Sequence, residues 1–255
     1  MVLTYCLHGS LREYLSINVH KSYQSKIEIL CSIARGLQDI HNSGKVHQDF
    51  HSGNILFNKS YAYIGDLGMC QPANNKEKLE GVFGVLPYMA PEVLRGFQYT
   101  KAADIYSFGV IINEYLSEVI PYNDVPHDHI LAVKVCKGFR PKIYEDVPKL
   151  FVDWIVKCWD AKPENRPTAK ALYQILKKWN YELKERYVNN TAEDSEIYSQ
   201  IKECEEIRKT AKSKIGSDKD KSRSIQTHPH AIYTSRLLNF QGLPEPINSS
   251  SSGNI

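Results

Sequence analysis

Asp49, Asn54 five positions later, and Asp66 immediately before Leu67-Gly68 are the residues with the most chemical content in this chain. Phosphoryl transfer needs a carboxylate to orient the attacking hydroxyl. It also needs oxygen ligands for Mg²⁺, because the transferred and leaving groups carry several negative charges. An Asp, an Asn close behind it and an Asp ahead of a glycine supply that set. A second reading takes His47, Asp49 and His51 as a metal site, since alternate residues of a strand share a face. The other close pair of histidines, His127-Asp128-His129, lies in a proline-containing loop and reads as solvated.

The flanking elements must bring these residues together. Gly9-Ser10 before Leu11 and Leu15 reads as a cap and a short helix. From about Ser22 to Asn42, Ile27, Leu30, Cys31, Ala34, Leu37 and His41 follow a helical stripe that Gly44 terminates. Ile55-Leu56-Phe57 and Tyr61-Ala62-Tyr63-Ile64 are strand-like, and Asn58-Lys59-Ser60 suits a hairpin turn that returns Asp66 beside Asp49 and Asn54. Asp104 to Ser117 is apolar enough for a buried helix, and two more helices are expected over Leu150–Trp159 and Thr168–Trp179.

Composition narrows the classes. Of 255 residues, 42% are hydrophobic and 24% charged, which supports a packed core and argues against wholesale disorder. The net charge of +3 calls for no nucleic-acid partner. Six scattered cysteines form no C-x-x-C pair, so neither a disulfide framework nor a zinc ribbon is indicated. There is no signal-peptide pattern at the start and no membrane-length apolar run, and a cytoplasmic location is expected. The pattern changes near residue 180. Residues 181–255 read as a charged, polar tail, mostly disordered, with a helix possible at 196–212 that would fray without a partner. Within it, His228 to Phe240 is less polar than its surroundings and could dock.

His47-Gln48-Asp49 with Asn54 resembles the H-R-D-x-x-x-x-N catalytic loop of eukaryotic protein kinases, and Asp66-Leu67-Gly68 resembles their D-F-G. Ala90-Pro91-Glu92 matches A-P-E, Asp104-Ile105-Tyr106-Ser107-Phe108-Gly109 is similar to the D-x-W-S-x-G helix, and Arg166-Pro167 sits where the family carries its late arginine. The likeness is greatest to the tyrosine-kinase-like branch. It implies a mainly α (α+β) fold: a helical C-lobe with a small catalytic-loop hairpin over residues 1–180, the N-lobe being truncated. It further implies Asp49 as catalytic base, Asn54 and Asp66 as Mg²⁺ ligands, and His47 and Gly68 as structural parts of their motifs. Glu92 and Arg166 would form a buried pair anchoring the activation segment, and Asp104 would accept backbone N–H groups of the catalytic loop. Leu3 would be the gatekeeper, Thr4 and Cys6 would bond adenine through the backbone, and Leu56 would floor the ATP pocket. Protein substrates or a regulatory protein partner are implied, with no nucleic acid or membrane.

Departures from the family pattern shape the functional expectation. The 255 residues contain no G-x-G-x-x-G and no V-A-I-K-like lysine strand, so this polypeptide by itself is expected to have little or no activity. Gln48 replaces the usual arginine, and between Met69 and Glu92 the only hydroxyl is Tyr88, so switching by loop phosphorylation is not expected. His51 and Val85 stand where serine/threonine kinases usually carry Lys and Thr, yet Ser/Thr acceptors are favoured over Tyr. Two alternatives stay open: a pseudokinase interaction module, and a small-molecule kinase of the aminoglycoside or choline kinase-like type.

Overall fold

The computed structural model describes residues 6, 9–17, 21–58, 61–72, 81–189, 195–214 and 227–248. α1 (Leu11–Ser16) opens on a reciprocal capping box, in which Ser10 Oγ accepts from Glu13 N–H and Glu13 Oε2 accepts from Ser10 N–H. α2 (Tyr23–Asn42) is capped by Ser22, whose hydroxyl accepts from Ser25 N–H, and stops before Gly44 at φ +76°. The expected stripe, less the half-buried Cys31, is its buried face.

β1 (Lys45–Val46) leads into the loop from His47 to Asn54. β2 (Ile55–Asn58) and β3 (Tyr61–Ile64) form the hairpin, paired from Ile55↔Ile64 to Asn58↔Tyr61. β4 (Gln71–Pro72) pairs back on β1, and β5 (Val82–Gly84) follows. Pro91 starts the short α3 (Pro91–Leu94), where its missing N–H costs nothing.

α4 (Lys101–Ser117) begins one turn earlier than its apolar run because Thr100 Oγ1 accepts from Ala103 N–H. It is buried on every side from Ala103 to Ser117 and forms the centre of the core. Gly109 permits this, since a Cβ there would meet Cys158 Cβ at 2.6 Å. α5 (His129–Cys136) is capped by Asp128, which accepts from Ile130 and Leu131 N–H. α6 (Lys149–Cys158) and α7 (Ala169–Asn189) complete the helical lobe, with Phe151 and Trp179 rings 4.8 Å apart. No helix among the described residues is long and apolar enough to cross a membrane.

Four expectations change. The division at residue 180 falls inside α7, because Leu172, Leu176, Trp179 and Leu183 continue one buried stripe past it. α8 (Glu196–Lys214) is longer than expected and has a partner: Ile197, Ile201 and Cys204 are buried, Gln200 accepts from Leu150 N–H, and Arg208 pairs with Asp146 at 2.6 Å. Residues 227–248, expected to be largely disordered, lie along the lobe, where β6 (Arg236–Leu238) pairs antiparallel with β5. His127 is accordingly not solvated. It is buried, with Nε2 3.1 Å from Tyr122 O and Nδ1 within 3.0 Å of both Ile232 N and Ile232 O.

Candidate active site

The loop after β1 hangs from one carboxylate. Asp104, in the first turn of α4, accepts from His47 N–H at 2.8 Å and Gln48 N–H at 3.1 Å, and its Oδ2 lies 2.9 Å from His41 Nε2. Gln48 takes φ +73°, a left-handed conformation that disfavours a side chain, and the Asp104 contacts hold it there. His47 Nε2 lies 3.0 Å from Gly65 O, tying the loop to the end of the hairpin.

Asp49 is buried at the mouth of this loop. Its Oδ2 is 3.5 Å from His51 Nε2 and accepts from Ser235 Oγ at 2.5 Å, while Oδ1 is buried with no hydrogen-bond partner among the described residues. Gly53 N–H donates to His51 Nδ1 at 3.0 Å, so a neutral His51 carries its proton on Nε2, facing Asp49. Burial pushes the Asp49 carboxyl up. The hydrogen bonds from His51 and Ser235 and the nearby His51 and His47 rings outweigh that and hold it below the ordinary 3.8. A carboxylate ionised at neutral pH that already accepts from a hydroxyl at Oδ2 can orient such a group and take its proton.

Asn54 turns its amide nitrogen to Asp49, 2.9 Å from the backbone oxygen and 3.4 Å from Oδ2, which leaves its side-chain oxygen as an acceptor. Gly65 N–H donates to Asn54 O at 2.8 Å, and Asp66 is the next residue along the chain. Asp66 heads the turn Leu67–Met69 at φ +51°, caps nothing with its carboxylate and is exposed. Gly68 is close enough that a Cβ there would lie 3.4 Å from Asp66 Oδ1. One carboxylate and one amide oxygen with open positions fit Mg²⁺, which keeps waters and takes phosphate oxygens as further ligands. Leu56 lies against Gly65, where a Cβ would meet Leu56 Cδ1 at 2.8 Å, and Cys6 is half-buried ahead of Gly9. Leu3 and Thr4 lie outside the described residues.

Beneath the loop, Glu114 of α4 accepts from Ser52 Oγ at 2.9 Å and Tyr88 Oη at 2.8 Å. Burial raises its carboxyl to about 7, against the opposing pull of Arg12 and these two hydroxyls. A folded-state value above the unfolded 4.5 means that the stabilisation is fully present below pH 4.5 and is lost as pH rises through about 7. At about 1.4 kcal/mol per pH unit, the group accounts for up to about 3 kcal/mol across that window. Glu114→Gln keeps the packing and is expected to flatten the fall in stability between pH 4.5 and 7; denaturant titrations of both proteins at several pH values would show an unchanged slope if Glu114 is already ionised.

Glu92 and Arg166 meet away from Asp49 as a bidentate pair, Nη1 to Oε1 at 2.7 Å and Nη2 to Oε2 at 2.8 Å. Arg166 also donates to Asp160 O and Ala102 O, and its guanidinium stacks over the Tyr106 ring at 5.2 Å. His47, Asp49 and His51 do not converge as a metal site: one ring turns to Gly65 O and the other to Gly53 N. Among the described residues no group of three or more His, Cys, Asp or Glu side chains could hold a metal. Ser235 and Glu114 were not identified from sequence as part of this site. The one signal for Ser235 was the lower polarity of His228 to Phe240; for Glu114 it was an acidic residue inside an otherwise apolar helix.

The family model for protein tyrosine and serine/threonine kinases matches residues 1–176. Two proteins of Dictyostelium discoideum, named "Probable serine/threonine-protein kinase gdt4" and "Probable serine/threonine-protein kinase gdt2", are 33% and 34% identical to this chain over 74% and 77% of its length. A "Protein kinase and PP2C-like domain-containing protein" of Arabidopsis thaliana is 31% identical over 63% of the chain. The chain spans 12% of the length of each Dictyostelium relative and 30% of the Arabidopsis one. With its catalytic-loop, hairpin and helical-lobe geometry in that arrangement, the chain belongs to the protein tyrosine and serine/threonine kinase family.

Proposed function

We propose that this lobe serves transfer of the γ-phosphoryl group of ATP to serine or threonine hydroxyls of proteins, with Asp49 as base and Asn54 and Asp66 holding Mg²⁺. The observation that carries this reading is the Asp49 carboxylate: buried, held ionised, accepting a serine hydroxyl at Oδ2 and with the Asn54 amide 3.4 Å from the same oxygen. Bound Mg²⁺ would neutralise charge on the phosphates. Asp49 orients the acceptor hydroxyl and receives its proton, His51 N–H supports the carboxylate, and Asp104 keeps the loop in the conformation that aims it. The Ser/Thr preference is supported by the printed names of the relatives. The 255 residues hold no Gly-rich phosphate loop, so the rate of this polypeptide on its own is expected to be low.

The test is prolonged incubation of the chain at high concentration with labelled ATP, Mg²⁺ and mixed acceptor proteins, followed by phosphoamino-acid analysis. Phosphoserine and phosphothreonine that require Mg²⁺ and vanish in Asp66→Asn are expected. Phosphotyrosine alone would reverse the acceptor assignment, and label that persists without Mg²⁺ would overturn the mechanism.

A further inference from the structure

The segment 227–248 is placed as a peptide substrate would be. Its backbone is tied to the lobe on both sides of Asp49. His127 N–H donates to His230 O at 3.0 Å, Arg12 Nη1 donates to Tyr233 O at 2.6 Å, and Arg236 to Leu238 pair with Gly84 to Val82. Between these anchors, Ser235 directs its hydroxyl to Asp49 Oδ2 at 2.5 Å and lies 3.4 Å from His51 Nε2. Arg236 donates to His127 O, and Leu238 is buried three positions after the serine. A solvated tail has no reason to align an extended strand, a buried leucine and one hydroxyl on the proposed base.

We propose that the groove over Asp49, walled by β5 and the His127 loop, is the acceptor-peptide site, and that this chain's own residues 231–241 fill it with Ser235 as the acceptor. This rests on the phosphoryl-transfer reading above. It names the substrate class as an extended protein segment with a serine and an apolar residue three positions later. In the step, Ser235 Oγ gives its proton to Asp49 Oδ2 and bonds to the γ-phosphorus of the nucleoside triphosphate. The bond from that phosphorus to the bridging oxygen breaks, and the nucleoside diphosphate leaves; nothing is oxidised or reduced. The product phosphate would stand against the Asp49 carboxylate, and like-charge repulsion would release the strand from β5.

The test uses the full chain in two arms. In the first, wild type, Asp49→Asn and Ser235→Ala are incubated with Mg²⁺ and ATP and mapped by mass spectrometry, with a generic acceptor protein present. Phosphate on Ser235 that is absent from Asp49→Asn supports the proposal. Transfer to the generic acceptor with none on Ser235 overturns it while leaving the phosphoryl-transfer reading intact. In the second arm, amide exchange over residues 236–238 is compared between wild type and Ser235→Glu, which sets a second carboxylate against Asp49. Slow exchange in wild type that becomes about tenfold faster in the variant supports the seat whether or not any transfer is detected. Unprotected amides in wild type, or protection indifferent to the variant, overturn it.

Discussion

Asp49→Asn is expected to lower phosphoryl transfer by about 10²–10⁴-fold, the usual contribution of a positioned base. The same change is expected to lower the melting temperature only slightly. Hydrogen bonds from His51 and Ser235 favour the carboxylate, but the charge is buried, and that burial, the largest single influence on the carboxyl, offsets most of their gain. The near-isosteric amide gives up the first, escapes the second and keeps the bond from Asn54 Nδ2 to the backbone oxygen. Loss of activity with retained stability separates a base from a structural carboxylate; parallel loss of both would place Asp49 in the second class. The pH profile carries the sign. With the folded-state value held below 3.8, the carboxylate stays ionised through the neutral range, and activity attributable to it falls only as pH drops through that lowered value. Its contribution to stability runs the same way, present above the unfolded value and lost on acidification. A rate that titrates with a carboxylate near neutrality would contradict this environment.

Arg166→Ala is expected to destabilise the fold by about 3–5 kcal/mol, read as a shift in the urea unfolding midpoint at unchanged slope. The Arg166 side chain is fully buried, and its removal strands Glu92, whose side chain is only 13% exposed, without a counter-charge. It also leaves Asp160 O and Ala102 O without this donor and takes the flat face from the Tyr106 ring. Glu92→Ala is expected at the lower end of that range, because Arg166 keeps its two carbonyl partners. Arg166→Lys is expected to recover little, since an ammonium cannot span both carboxylate oxygens and both carbonyls. If instead Arg166→Ala costs less than about 1 kcal/mol, the pair behaves like a surface ion pair and does not anchor the segment from β5 to α3.

Much of the fold was legible because it is local. The α2 stripe, the Ser10 and Ser22 caps, the Gly44 stop and the apolar run of α4 follow from spacing alone, and α2, α4 and α6 stand within a turn of where periodicity sets them. The hairpin was equally readable, because two strand-like runs three residues apart can only pair antiparallel. The errors came where a partner far along the chain decides the outcome. α7 and α8 continue because Leu183 and Ile197 find apolar surface on other helices. His127 looks solvated in its own loop and is buried by residues more than a hundred positions away.

The sequence by itself singled out Asp49, Asn54 and Asp66 as the candidates for chemistry, since they are recognisable by type and spacing on elements that local propensity builds. Only the tertiary structure decided what surrounds them. Asp49 is ionised because His51 and Ser235 outweigh its burial. Glu114 sits near 7 because α4 carries it under the loop beyond the reach of water. The polar segment after residue 227 is ordered because the free edge of β5 supplies backbone partners and a pocket for Leu238. Backbone pairing of this kind is nearly indifferent to side-chain type and acts across a hundred and fifty residues, so no periodicity within the segment could announce it.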